Sequence, residues 1–451
     1  MLNQLKNVIK TTPFKIIILL IIGWIFMILL NYYLSNHHFF TGSRITFPIS
    51  VVYFSKFTLQ GILFSFIFLF TGILLLNNYK KLNYWSLFSS YIIIILLGNL
   101  SQGSLHYTFL RSFIDTDFQY FHDVIQIKNG YDFIAHYNTI QDTLTMHAKT
   151  HPPFAVWIQY ILYTFFNKSV LGLSIGLSVL GLMSFIPLYK ILTYFNLEKS
   201  RKNLLIIIFA LIPAVNIYSI VSIDAVFLFF SLIFLYGTLL ISKSTKINWF
   251  GILVTVIGFT LANSITFSGT FLACIAAILS IFELIKHKNY YPLYNFIIVG
   301  ILFLIILFIS NILLDYNHIE AFLNASKLEN PNGFRGFEQP LVYIFTRIEN
   351  ISEILLFLSF GFFAYLFIPK NLNLQKQDIS FYLPIIAFGS LLLMFLTGAY
   401  GTGETARACL YIYPFFLLLL IRIATVQTLL NIAYIALFQT FFMQMVGDYF
   451  W

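Results

Sequence analysis

HPPFAVWIQYILYTFFNK, residues 151–168, is the stretch on which the fold of this chain turns. Its apolar part, Pro153 to Phe166, covers about fourteen residues, short of the ~20 that a helix needs to cross ~30 Å of hydrocarbon. Proline suits the first turn of a helix. The residue before a proline is pushed out of the α region, so no helix runs through His151 into this segment. The expectation is an interfacial or re-entrant helix that leaves the chain on the side where it began. If it crossed instead, every later connection would change sides.

Working outward, the chain is 59% hydrophobic and only 10% charged, with Phe 53, which excludes an ordinary soluble protein. Runs of membrane-spanning length recur at 14–34, 58–77, 84–100, 169–191, 204–221, 223–242, 248–265, 267–285, 293–314, 350–368, 380–397, 408–424 and 426–446. The expected fold is all-α and polytopic, with about thirteen crossings. The first run follows Lys6, Lys10 and Lys15, is too long for a signal-peptide core and is read as a retained helix. Cys274 and Cys409 fall inside spans and do not speak to disulfides.

Charge parity supports leaving 153–166 uncrossed. With the N-terminus inside, Lys80 and Lys81, Lys190, Lys199, Arg201 and Lys202 then lie inside. So do Lys243, Lys246, Lys286, Lys288, Lys370, Lys376 and Arg422, as the positive-inside bias requires. The net charge of +9 is thereby accounted for without nucleic acid. Most carboxylates, and every histidine but His287, fall on the outer side. Chemistry is therefore expected at the outer leaflet of a multi-pass protein of the cytoplasmic membrane.

The outer loop 101–168 holds the densest polar run, from Arg111 to Pro153. Asp117 to Gln126 fits a short amphipathic interfacial helix, with Asp115 and Asp117 near its N-terminus. There a carboxylate either caps the helix or acts as a general base or metal ligand. His147 and His151 stand at a four-residue spacing, a weak metal signal unless a third ligand such as Asp117 joins them. Capping and substrate or phosphate contact are the other roles open to His151. Asp224, in SIDAVFLFF, opens a span and could cap it with Ser222. The mixed charges of loop 315–349 read as solvated surface.

GAYGTGETARACL, residues 398–410, carries Glu404 and Arg407 into the next span. An arginine there is a phosphate clamp in outline, because its planar fork matches phosphate oxygens. The plainer alternative is a Glu404–Arg407 pair within one helix turn.

TDFQYFHD (116–123), THPPF (150–154), SIDAVFLFFSLIFLYG (222–237) and GETARACLYIYPF (403–415), in this order, resemble the GT-C superfamily of membrane glycosyltransferases. The branch they are most similar to is that of protein mannosyltransferases and aminoarabinose transferases. The resemblance spans about 84–424, a GT-C-like core with outer loops 101–168, 315–349 and 398–407. Residues 1–83 would be an added pair of membrane helices, and 425–451 a last helix with a short outer tail.

This resemblance implies sugar transfer, with inversion, from a polyprenyl-phosphate donor to a lipid, glycan or protein acceptor. It implies Asp117 as general base, with Asp115 in reserve, because Asp115-Thr-Asp117 replaces the family's commoner Asp-Glu pair. Spacing to the aromatic Tyr120 favours Asp117. Arg407 would hold the departing phosphate, Glu404 would orient it, and His147, His151 and Asp224 would line the site. Metal use varies in the superfamily, so a divalent ion on Asp117, His147 and His151 stays open, and no other cofactor is implied. The rival functions are a lipid-linked polysaccharide polymerase or ligase, and a transporter or flippase. A transporter calls for carboxylates or broken helices at mid-membrane, whereas these spans carry charge chiefly at their ends.

Overall fold

The computed structural model describes residues 12–36, 57–115, 119–366, 368, 379–400, 405–423 and 425–449. Its described residues form helices joined by turns. The chain opens with α1 (Thr12–Asn36), α2 (Leu59–Asn78) and α3 (Tyr84–Leu100). After a run of short turns come α4 (Phe154–Phe165), α5 (Val170–Leu182), α6 (Phe185–Tyr194), α7 (Lys199–Leu211) and α8 (Pro213–Tyr218). Next are α9 (Ile223–Ser242), α10 (Trp249–Ile265), α11 (Thr270–His287), α12 (Tyr291–Leu314) and α13 (His318–Glu329). The chain closes with α14 (Pro340–Leu358), α15 (Phe360–Leu366), α16 (Ile379–Leu396), α17 (Tyr413–Leu420) and α18 (Val426–Val446).

The protein is a polytopic, all-α membrane protein. Of the about thirteen expected crossings, 8 described helices are long and apolar enough to span by themselves. Other expected spans are shorter or interrupted. The 204–221 run breaks between α7 and α8, where Pro213 takes the first helical position and Ile212 turns to an extended conformation. The expected 350–368 span is divided at Ser359 between α15 and α14, which starts at Pro340 and draws Glu349 and Glu353 into its buried face.

Hydrogen bonds sort the connections into two ends. At one end Asn203 Nδ2 donates to Tyr79 O and Leu82 O, Lys202 Nζ to Thr193 Oγ1, and Asn289 Nδ2 to Ser244 O. That end carries Lys80, Lys190, Lys199, Arg201, Lys243 and Lys286. At the other end Gln102 Nε2 donates to Gln444 Oε1, Gln141 Nε2 to Ala321 O, and Tyr400 OH to Ser268 Oγ. The 101–152 connection lies at this second end, and α6 delivers the chain to Thr193 at the first.

The helix α4 has 12 residues, short of the length that spans a membrane. It folds back along α5, where Gly172 and Gly176 are so close that a Cβ would come within 2.3 Å of Phe166 and 2.9 Å of Leu162. Ala155, Val156 and Gln159 are buried, while Ile161 and Phe165 stay exposed, as suits a helix with lipid or water on one flank.

The pair α9–α10 forms the centre. A Cβ on Gly258 would sit 2.3 Å from Phe234 N, and one on Gly237 would sit 2.6 Å from Thr255 N, so these backbones nearly touch. Small residues at such crossings allow the van der Waals packing that holds membrane helices together. This close pair sets the height at which α9 begins, and with it the position of Asp224.

Candidate active site

A cavity of about 560 Å³ opens at the second end. It is walled by the 101–152 connection, α4, the start of α9, the turn before α11, α13 and the segment around Arg407. Asp224 sits in the first turn of α9, whose N-cap is Ser222: its Oγ accepts the Asp224 N–H at 3.1 Å. The sequence suggested that Asp224 could cap the helix with Ser222; the hydroxyl takes the cap, and the Asp224 carboxylate points to Arg407. Arg407 Nε and Asp224 Oδ2 are 3.3 Å apart.

The turn that delivers Ser222 is strained. Val221 has φ +55, a left-handed conformation that is unfavourable for a β-branched residue. Its N–H donates to Ser178 Oγ at 3.2 Å, which helps to hold it there. Tyr400, on the opposite wall, has φ +62. Both line the cavity. Strain of this kind persists where the surrounding structure over-determines it.

His147 and His151 flank a single 3₁₀ turn, Ala148–Thr150, rather than sharing a longer helix. His151 Nδ1 donates to His147 O at 2.9 Å. A carbonyl only accepts, so neutral His151 carries its proton on Nδ1 and keeps Nε2 as an acceptor. Tyr137 OH donates to Ala148 O at 3.0 Å and fastens the turn. The Tyr120 ring lies 5.9 Å from that of His147 and 5.6 Å from that of His151.

Burial, reinforced by Arg407 and then His151, lowers the His147 pKa to about 3. Burial and, secondarily, Arg407 take His151 to about 4, against a hydrogen bond to His147 that favours the charged form. Burial, then Asp224, raises the Tyr120 phenol well above its ordinary range. Both imidazoles are neutral and the phenol is protonated at neutral pH. The wall offers uncharged donors and acceptors, with Gln119 and Gln159 beside them.

Other expectations from the sequence meet a different geometry. Asp117 and Glu404 lie outside the described residues. Asp115 is exposed, follows the short helix Arg111–Ile114 as its C-cap, and pairs with His106 Nε2 at 3.3 Å; Ser112 and Phe113 line the cavity and Asp115 does not. The amphipathic helix expected at 117–126 is, among the described residues, one turn, Phe121–Val124. Asp123 spends its carboxylate on Thr145, accepting from the backbone N–H at 3.2 Å and the hydroxyl at 2.5 Å, and so folds that turn back.

Among the described residues, no three His, Cys, Asp or Glu side chains gather to hold a metal. His147 and His151 with one ring nitrogen on a carbonyl do not by themselves make a metal site. Loop 315–349 is not merely solvated surface. Phe322, Glu329 and Arg335 line the cavity, and Arg335 Nη2 is anchored on Glu329 O at 2.7 Å.

No protein-family model matches the chain, and no curated protein matches it. Among solved structures it is similar to ArnT from Cupriavidus metallidurans in the apo state. The identity is 12% and the TM-score 0.37, over 69% of this chain and 55% of that one. The chain thus spans about half the length of that structure. A likeness this distant does not bear on function, which rests on the site itself.

Sequence reasoning missed α14 as a support of this site. Thr346, Glu349, Asn350 and Glu353 are all buried on it. The signal was present in TRIENISE, residues 346–353, a polar stripe at helical spacing.

Proposed function

We propose that this protein is an integral membrane glycosyltransferase. It moves a sugar from a polyprenyl-phosphate donor to an acceptor hydroxyl at the outer face of the cytoplasmic membrane, with inversion at the anomeric carbon. The observation that carries this reading is the Asp224–Arg407 pair, set in a polar cavity at one end of an apolar bundle. A lipid-linked donor requires a cation for its phosphate, uncharged hydrogen-bonding groups for its sugar and an apolar flank for its tail. The cavity volume is within the ~300–1,000 Å³ typical of small-molecule sites. The lysines at the opposite end support an outward-facing cavity, by the positive-inside rule.

In this reading the acceptor hydroxyl attacks the anomeric carbon as its proton passes to Asp117. The new carbon–oxygen bond forms while the bond from that carbon to the phosphate oxygen breaks. Arg407 holds the leaving phosphate and Asp224 keeps the guanidinium oriented. Tyr120 donates to the sugar, and His147 and His151, being neutral, accept from its hydroxyls. Both carboxylates stand two residues from a lining residue, Asp115 from Phe113 and Asp117 from Gln119, but Asp115 is engaged with His106. That engagement supports Asp117 as the base. The acceptor is a lipid, glycan or protein.

The test is transfer from polyprenyl-phosphate sugars in reconstituted vesicles. Loss of a general base costs about 10²–10⁴-fold, the expected effect of Asp117→Asn. Full activity in both Asp117→Asn and Arg407→Ala, at unchanged folding and expression, would refute the reading.

A further inference from the structure

One face of α14 grips both flanks of the segment that carries Arg407. On the near flank, Arg347 Nη1 donates to Phe395 O and to Ala399 O at 2.6 Å each, and its Nη2 donates to Tyr400 O. Tyr343 OH adds a bond to Leu396 O at 2.6 Å. On the far flank, Asn350 Nδ2 donates to Thr405 Oγ1 at 2.5 Å, and Glu353 Oε1 accepts the Ala406 N–H at 3.0 Å. Tyr413 OH closes the row on Ile354 O at 3.3 Å. Positions 343, 347, 350 and 353–354 fall three or four apart, which places them on one helix face.

These far-flank contacts are out of water. Glu353 is 1% exposed, and Asn350 and Thr405 are 0%. Burying polar groups is costly unless they are hydrogen-bonded, and here their bonds go to the residues immediately before Arg407. The backbone of Arg407 is thus placed by α14, while its side chain reaches across the cavity to α9.

We propose that Glu353 and Asn350 are positioning residues for Arg407: by holding Thr405 and Ala406 they fix where the guanidinium meets Asp224 and the leaving phosphate. This rests on the reading of Arg407 as the phosphate contact. A displacement of ~1 Å at a reacting group can cost ~10²-fold in rate.

Two measurements on the full-length protein in nanodiscs test it. In hydrogen exchange, Glu353→Leu and Asn350→Leu should speed deuterium uptake in peptides covering 397–408 and leave α9–α10 unchanged. Glu353→Gln keeps an acceptor oxygen and should exchange like the parent. In the transfer assay both leucine variants should lower kcat about 10–100-fold with little change in KM. Neither should reduce activity further when added to Arg407→Ala, and Glu353→Gln should restore most of the rate. Unchanged exchange in 397–408, or an independent loss on top of Arg407→Ala, overturns the proposal. Full activity of Arg407→Ala alone would remove the phosphate role on which this proposal rests, whereas the exchange result separately decides whether α14 holds the segment.

Discussion

Arg407 Nε lies 3.3 Å from Asp224 Oδ2, with the two side chains only 11% and 14% exposed. The pair bridges α9 and the Thr405–Ala408 turn, so the guanidinium is already compensated before any phosphate arrives. The carboxylate also sits in the first turn of α9, where the helix dipole favours negative charge.

Removing one partner of such a pair strands the other, at a cost of about 3–5 kcal/mol for a fully buried case, whereas removing both costs less. Asp224→Asn should therefore melt at a lower temperature than Asp224→Asn combined with Arg407→Gln. Thermal scans of the two variants in nanodiscs decide this. Losses that simply add would show that the charges are not coupled.

His147 and His151 give the pH dependence a definite sign. Their folded pKa values, about 3 and about 4, lie below the ordinary 6.5, chiefly through burial. His318, half-buried at the start of α13, is lowered to about 4 in the same way. The unfolded chain binds protons that the native one refuses, so this contribution is complete above pH ~6.5 and is lost as pH falls towards ~4. Melting temperature should drop over that window, and His147→Gln with His151→Gln should flatten the drop. Transfer activity should show no inflection near 6.5 from these two residues; a histidine limb there would contradict their neutral state.

Much of the polar lining of the candidate site was legible because charge is rare in this chain. Asp224, Arg407, His147 and His151 stand out against apolar neighbours, and the cavity brings all four together. What could not be read was which way a short turn faces. Asp115 stood in reserve behind Asp117, and nothing in its spacing showed that it ends a four-residue helix and turns towards His106. The stripe on α14 failed for another reason. Periodicity reveals that a helix has a polar face, but solvent and a buried backbone segment both satisfy such a face. Only the fold shows that Glu353 meets Ala406 N–H rather than water. Helix continuity was hidden in the same way, since composition fills a window that Pro213 then breaks.

The closeness of α9 and α10 makes a further demand. Gly258 faces backbone, with Phe234 N 2.3 Å from where a Cβ would stand, so neither side can yield by a rotamer change. Gly258→Ala should force the helices apart at about 1–3 kcal/mol, the usual range for overpacking. Because α9 carries Asp224, transfer activity should fall as well. Gly300→Ala, where nothing lies within 4 Å, serves as the silent control. Equal melting temperatures for the two variants would mean that the helices do not pack as closely as described.

The short helix α4 carries the last prediction, since it decides which end faces out. Lys149 precedes it at the cavity end, and Lys286 lies at the opposite end, within reach of Tyr382. A spanning α4 would put the cavity and the 101–152 connection on different sides. Its fold-back along Gly172 and Gly176 instead keeps them together. In a background with Cys274 and Cys409 replaced by serine, Lys149→Cys and Asn330→Cys should both react with an impermeant maleimide added to intact cells. Lys286→Cys should react only after the membrane is opened. Labelling of 149 and 330 from opposite sides would make α4 a crossing. Labelling of both only from within would turn the cavity inward, which no outer-leaflet transferase could use.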